Sequence, residues 1–182
     1  MRAVLVASLV LALSAPAVAQ ERPAASEYVQ RVQQGIALLT AGDAGGSINV
    51  FRQAVQLDGN RPEAIYYLAC ANRLTGSLDE AVRGFERAAD VAETEPRWRA
   101  RALQGISETL ERMHGRVEDA RRAWQAYVQF ADRNATVAHP QLGRARIQAI
   151  DMMAEQERVY VEVRARIAAR ERENASARPR GR

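Results

Sequence analysis

The first half of the chain repeats itself at a fixed interval. Thirty-four positions separate Gly42 from Gly76, Phe51 from Phe85, and Ala54 from Ala88. An interval of about 20 to 50 residues is typical of stacked repeats, in which each unit buries its apolar face against the next unit. The spacing therefore predicts a repeat architecture for this chain.

Residues 62–95 show what one unit of the repeat contains. Before Gly76, apolar residues recur at roughly helical spacing at Ile65, Leu68, Ala69 and Leu74. After it, they recur at Ala81, Phe85 and Ala88. Glycine can adopt the left-handed conformation that ends a helix. Small alanines allow two antiparallel helices to approach closely, and a phenylalanine fills the remaining groove. The unit is predicted to be a helix, a turn and a second helix, and the chain to be all-α.

This pattern closely resembles the tetratricopeptide repeat (TPR). The resemblance implies a right-handed superhelix of about three helix-turn-helix repeats, which we assign to about 28–61, 62–95 and 98–132, followed by a long C-terminal capping helix. The third repeat carries one extra residue before Gly115. In the first repeat, Arg31 and Gln34 occupy positions that are usually apolar, so we expect its first helix to be frayed or rotated.

Beyond Asn134 the repeat pattern stops. Pro140 begins a helical stretch that we assign to 140–173, long enough for its far half to project beyond the stack. Two interpretations of that half remain open: a solvated helix with charge pairs from Glu162 to Arg158 and Arg166, or a coiled segment that binds a partner. Residues 174–182 are expected to form a disordered basic tail.

The N-terminus has the features of an export signal. Arg2 precedes an apolar run at 4–13, and small residues at 17–19 suit a signal peptidase. We therefore expect a signal peptide at 1–19, cleavage after Ala19 and a linker at 20–26. The mature protein is expected to be periplasmic or secreted, without a stable membrane anchor.

The positive charge of the chain does not indicate nucleic-acid binding. All 26 basic residues are arginine, and the formal net charge is +4. Setting aside Arg2 and the three arginines after residue 177 leaves 22 arginines against 22 acidic residues. A nucleic-acid interface needs basic residues massed on one face, whereas here they alternate with acidic residues.

Few residues of the chain carry catalytic or metal-binding chemistry. The sequence has two histidines, His114 and His139, and one cysteine, Cys70. No spacing fits a metal site, a nucleophile elbow or a phosphate loop. Cys70 is interpreted first as a packing residue and second as a reactive thiol. We predict no enzyme activity and no cofactor.

Function is therefore predicted to reside in the concave face. In the TPR family, the first helix of each repeat lines this face and binds peptides or helices. Carried over onto this chain, the face comprises Val32, Ile36, Leu39, Tyr66, Cys70, Arg73, Gln104, Glu108 and Glu111. It grades from apolar to polar, which suits a ligand with a hydrophobic end and a basic or polar end. Alternatively, Val32, Ile36 and Leu39 simply pack beneath the N-terminal segment.

Two functional hypotheses follow. The first is a non-catalytic scaffold or adaptor that binds a segment of another envelope protein through the concave face. The second is a structural subunit that forms homo-oligomers through its long C-terminal helix. The first is the leading hypothesis, and the second is the alternative.

Overall fold

The computed structural model describes residues 23–177, which form seven helices and no strand. The helices are α1 (Pro23–Thr40), α2 (Ala44–Leu57), α3 (Pro62–Leu74), α4 (Leu78–Val91), α5 (Pro96–Glu111), α6 (Val117–Arg133) and α7 (Pro140–Ala177). Helices α1 and α2, α3 and α4, and α5 and α6 pack as consecutive pairs, and α7 packs on α6. The predicted all-α repeat superhelix with a long C-terminal helix is confirmed.

The turns within the three pairs are set by glycine. Gly42, Gly76 and Gly115 have φ values of 87°, 86° and 76°, in the left-handed region that side chains disfavour. Gly42 and Gly76 closely follow the ends of α1 and α3, whereas Gly115 lies in the loop between α5 and α6. Proline is the first residue of α3, α5 and α7, where its missing N–H costs no helical hydrogen bond. The helix boundaries thus follow directly from glycine and proline positions.

The repeated phenylalanines form the centre of the packing. Phe51 and Phe85 are fully buried. A Cβ atom added at Gly35 would lie 2.4 Å from the Phe51 ring, and one added at Gly105 would lie 2.7 Å from the Phe85 ring. Each ring therefore occupies space that a neighbouring helix leaves free by carrying glycine.

The third pair replaces phenylalanine with larger rings. Trp124 and Tyr127 of α6 are about 1% exposed, and their rings meet edge to face at a centroid separation of 5.5 Å. They anchor a core that extends to Ile147 and Ile150 of α7. The start of α7 is in this way part of the folded stack.

The first helix pair is better ordered than the sequence suggested. Helix α1 runs for 18 residues and begins at Pro23, inside the segment 20–26 that we expected to be a linker. Tyr28 is 1% exposed and holds α1 against α3. The Asp43 side chain accepts a hydrogen bond of 2.7 Å from Gly46 N–H, so it caps α2 and compensates for the glycines there. Of the two expectations for the first helix, frayed or rotated, the continuous helix from Pro23 to Thr40 contradicts the first.

Helix α7 has a packed half and a free half. Gly143, Ile147 and Ile150 face the stack, whereas every residue from Asp151 to Asn174 is exposed. Two ion pairs join α7 to α6: Arg144 to Asp132 at 2.7 Å and Arg121 to Asp151, at the start of the free half, at 2.6 Å. Within the free half, Arg166 pairs with Glu162, but Arg158 pairs with Glu155 and not with Glu162 as predicted. The helix continues to Ala177, beyond the predicted end at 173.

The expected signal peptide at 1–19 and most of the expected tail lie outside the described residues. None of the described helices combines the length and the apolar composition needed to cross a membrane.

Candidate functional site

The inner side of the superhelix is formed by the first helix of each pair. Helix α1 contacts α3, and α3 contacts α5, whereas among the described residues α2, α4 and α6 do not contact one another. A stack whose first helices lie closer together than its second helices must curve toward the first helices. The surface of α1, α3 and α5 is therefore concave, and we call it the inner face.

Three half-buried aromatic rings lie side by side between α3 and α5. The Trp98 ring is 5.5 Å from Tyr66 and 6.0 Å from Tyr67, and the two tyrosine rings are 5.4 Å apart, centroid to centroid. Beneath them, Tyr66 contacts Phe85 and Tyr67 stacks on Phe51, so the cluster rests on both buried phenylalanines. The core thus fixes the positions of these three rings, which we call the aromatic cluster.

Two arginines border the aromatic cluster. The Arg101 guanidinium lies 5.0 Å from the centre of the Trp98 ring, and Arg101 is exposed. The Arg73 guanidinium lies 5.4 Å from the centre of the Phe85 ring. Cations over aromatic faces are attracted by the ring quadrupole, by about 0.5–1 kcal/mol at exposed sites. Of the two arginines, Arg101 is the one whose side chain remains accessible to a ligand.

Arg73 belongs to a polar triad on the inner face. Its Nη1 donates to Glu108 Oε2 at 2.6 Å, and Gln104 Nε2 donates to Glu108 Oε1 at 2.7 Å. The triad joins α3 to α5 and satisfies the Glu108 carboxylate on both oxygens. It fixes the spacing of the two helices that carry the aromatic cluster.

Burial is the main influence on the pKa values of Tyr66 and Cys70. The side chains hydrogen-bond to each other, and burial raises the pKa of the Tyr66 phenol well above its ordinary value. Burial also raises the pKa of the Cys70 thiol, although Tyr66 and Arg73 act in the opposite direction. A raised pKa keeps the thiol protonated and weakly nucleophilic at neutral pH. This favours the packing interpretation of Cys70 over the reactive one.

The apolar end of the predicted site lies on α1. Val32, Ile36 and Leu39 are each half-buried, and Val32 packs against the small core around Tyr28, Ala54 and Ala64. Part of the Val32 side chain is therefore buried in the contact of α1 with α2 and α3. Helix α1 adjoins α3, so this apolar segment continues the inner face away from the aromatic cluster.

Glu111 lies apart from the other predicted residues. Its carboxylate accepts hydrogen bonds from the Trp124 indole and from the Arg146 guanidinium, and its side chain is 16% exposed. It therefore connects α5, α6 and α7 at the end of the stack.

The sequence interpretation missed Tyr67, Trp98 and Arg101. Tyr67 follows Tyr66 directly, and Trp98 lies two residues after Pro96, before the assigned contact positions of the third repeat begin. Aromatic residues near the start of a first helix could have drawn attention to them, since aromatic and arginine side chains are enriched at protein interfaces. Their mutual contact is visible only in three dimensions.

Among the described residues, no three His, Cys, Asp or Glu side chains are placed to hold a metal ion. His139 is exposed before α7, and its backbone N–H donates to the Tyr127 hydroxyl at 3.1 Å. A groove of about 550 Å³ lies between α7 and the start of α6, lined by Val117, Ala149 and Met153 among others. Glu111, Arg146 and Glu157 also line this groove, and Glu111 is already paired with Arg146.

No protein-family model and no curated protein matches the sequence. Several solved structures match the fold. The type III secretion translocator chaperone SycD of Yersinia enterocolitica is 16% identical, with a TM-score of 0.62 over 72% of this chain and 88% of SycD. SycD in complex with a peptide of the translocator YopD matches with a TM-score of 0.58, at 16% identity, over 71% of this chain and 95% of that one.

A third match comes from another kingdom. The TPR domain of Sgt2 from Aspergillus fumigatus is 14% identical, with a TM-score of 0.59 over 72% of this chain and 82% of the domain. Such low identities show the fold and no more. The chain has a TPR-type fold, as the repeat spacing predicted.

Proposed function

We propose that this protein is a non-catalytic, exported scaffold that binds a peptide segment or helix of another envelope protein through its inner face. The observation that carries the proposal is the aromatic cluster of Tyr66, Tyr67 and Trp98, half-buried on rigid helices with the exposed Arg101 beside it. Tyrosine, tryptophan and arginine are the residues that most often dominate binding energy at interfaces.

The chemistry of the inner face indicates the kind of ligand. An apolar or aromatic side chain of the ligand would lie against the aromatic cluster, and further apolar residues would contact Ile36 and Leu39. Arg101 offers a cation to a carboxylate or a carbonyl group. Because Glu108 is already paired with Arg73, and Glu111 with Arg146, the face has no excess of negative charge. The ligand is therefore expected to have a polar or acidic end, and not the basic end that the sequence allowed.

The structural matches support this mode of binding. SycD, whose fold this chain shares at 16% identity, has been solved in complex with a peptide of the translocator YopD. A superhelix of paired helices offers a preformed groove, so a bound segment loses conformational freedom without requiring the scaffold to rearrange.

Location and the absence of catalysis are part of the proposal. The export signal predicted at 1–19 supports a periplasmic or secreted location. The raised pKa of the Cys70 thiol supports a role in binding over a role in nucleophilic chemistry.

The proposal is tested by affinity capture from an envelope extract with the purified protein. The two variants are Arg101→Glu on α5 and Arg83→Glu on α4, both at exposed arginines. The first reverses a charge beside the aromatic cluster, whereas the second reverses a charge on the outer helices. We expect Arg101→Glu to weaken capture of the partner by about tenfold or more and Arg83→Glu to leave it unchanged.

A Tyr66→Ala variant provides an independent measurement at the centre of the cluster. Its thermal unfolding is compared with that of the wild type, so that loss of the fold can be separated from loss of binding. Equal capture by wild type, Arg101→Glu and folded Tyr66→Ala would place the binding surface elsewhere.

A further inference from the structure

The free half of α7 carries an apolar stripe, interrupted by Gln156, that nothing in the described chain covers. Its residues are Met152, Met153, Val159, Tyr160, Val163 and Ile167, and they are between 43% and 68% exposed. At 100° per residue these six side chains fall within about a third of the helix circumference. An exposed apolar stripe of this kind is typical of an interaction surface.

The stripe has the spacing of a coiled coil. Met153, Tyr160 and Ile167 follow one another at intervals of seven residues, and Val163 lies between the last two at the complementary position of the heptad. This places them at the a and d positions of a heptad repeat, which is the seam that two helices bury together. The natural occupant of such a seam is another helix.

The charges around the free half separate into two groups. Along the other edge of the stripe and the back of the helix, Glu155 pairs with Arg158 and Glu162 pairs with Arg166. Glu157 and Arg164 instead lie seven residues apart along one edge of the stripe. Arg164 contacts the Tyr160 ring, and neither Glu157 nor Arg164 forms an ion pair with a described residue. One edge of the stripe therefore presents an acid and a base that lack a partner of opposite charge.

We propose that two copies of this chain form a homodimer through the free halves of α7, packed antiparallel. With the twofold axis near residues 160 and 161, Glu157 of each copy faces Arg164 of the other. In the same register Tyr160 of one copy packs against Val163 of the other. One arrangement then pairs both charges and forms the two central apolar layers, whereas Ile167 faces Gln156 of the other copy.

The charged side chains also favour one register and one relative direction of the two helices. A shift by one heptad either way would bring Glu157 opposite Glu157 or Arg164 opposite Arg164. In a parallel pair, Arg170 would meet Arg170 of the second copy within the seam, where like charges repel. In the antiparallel register Arg170 lies beside Met153 at the end of the contact, where its head can reach water.

The length of the contact is sufficient for a reversible dimer. Residues 151 to 174 span about 36 Å at 1.5 Å per residue. Two helices in contact over that length bury on the order of 1,000 Å² of surface in total, which is near the lower limit for specific interfaces. The dimer is therefore expected to dissociate on dilution. It would place the two repeat stacks, and the two inner faces, at opposite ends of a helical rod.

The test is multi-angle light scattering on the purified protein over a range of concentrations, with a matched pair of variants. Val163→Asp places a charge in the seam, and Val161→Asp places the same charge on the other side of the helix, where Val161 is 57% exposed. We expect a concentration-dependent dimer for the wild type and for Val161→Asp, and a monomer for Val163→Asp. Both positions are exposed in the single chain, so neither change should alter the fold.

Charge reversal tests the antiparallel register. Glu157→Arg and Arg164→Glu should each weaken the dimer at low salt, and the double variant should restore it, because the pairs are then re-formed with their charges exchanged. A monomeric wild type at every concentration would overturn the proposal. A dimer that withstands Val163→Asp, or a double variant no stronger than the single ones, would overturn it as well.

Discussion

At the scale of single residues, Tyr28 shows how one hydroxyl joins two repeats. Its oxygen accepts a hydrogen bond of 3.2 Å from Ala64 N–H in the first turn of α3, and its proton is donated to Glu63 Oε2 at 3.2 Å. The N-cap residue Arg61 supplies no side-chain cap. Tyr28 therefore satisfies a helix-start N–H that would otherwise be buried without a partner.

The substitution Tyr28→Phe should lower the free energy of unfolding by about 1–3 kcal/mol, the usual cost of leaving a buried donor unsatisfied. Tyr160→Phe, at a ring 56% exposed, is the control and should have little effect. Chemical denaturation monitored by circular dichroism measures both. Equal stabilities of Tyr28→Phe and the wild type would show that the Ala64 N–H finds another partner.

The pH dependence of this effect has a definite sign. Burial raises the pKa of Tyr28 from 10.0 to about 12. A raised pKa means that the folded state favours the protonated phenol, so its contribution to stability is complete below pH 10 and is lost as the pH rises toward 12. The difference in stability between the wild type and Tyr28→Phe should therefore shrink across this range.

At the scale of helices, the effect of a glycine on stability depends on the space around it. Gly105 lies within α5 where the Phe85 ring leaves no room for a Cβ atom, because the nearest ring carbon would be 2.7 Å away. Gly45 lies in the exposed first turn of α2, where the nearest atom would be 3.9 Å away. Helix propensity favours alanine over glycine at both positions by up to about 1 kcal/mol.

Gly105→Ala should destabilise the protein by about 1–3 kcal/mol, because overpacking against a fully buried ring outweighs the gain in propensity. Gly45→Ala should be neutral or slightly stabilising. Thermal unfolding of the two variants measures the contrast. A stabilised Gly105→Ala would mean that Phe85 moves easily, which is inconsistent with the close packing described above.

The same scale shows how much the sequence could predict. The turns at Gly42 and Gly76, the buried Phe51 and Phe85, and the helix beginning at Pro140 all follow from local preferences repeated at a fixed interval. These features depend on residues near one another in sequence, which is why periodicity finds them.

Other parts of the structure depend on contacts between distant residues. Tyr28 orders α1 by reaching Ala64, 36 positions away, and no local pattern reveals that bond. Trp98 joins Tyr66 and Tyr67 across two helices, and Glu111 accepts hydrogen bonds from Trp124 and Arg146. The sequence thus located the inner face, but the aromatic cluster within it required the fold.

At the scale of the whole molecule, the chain has two candidate interaction surfaces. The inner face of α1, α3 and α5 is rigid, aromatic and half-buried, as expected of a surface that holds a ligand. The free half of α7 is fully exposed and lies beyond the stack. If both proposals hold, the dimer presents two inner faces at once, so a partner with two binding segments would bind with higher avidity than either face gives alone.

The central claim is that the inner face binds a partner, and site-specific photo-crosslinking in the cell tests it most directly. A photoreactive amino acid replaces Arg101 on α5 in one variant and Glu86 on α4 in the other, both at exposed positions. We predict that irradiation crosslinks a partner protein to position 101 and not to position 86. Crosslinks from position 86 alone would contradict the claim and assign binding to the outer helices.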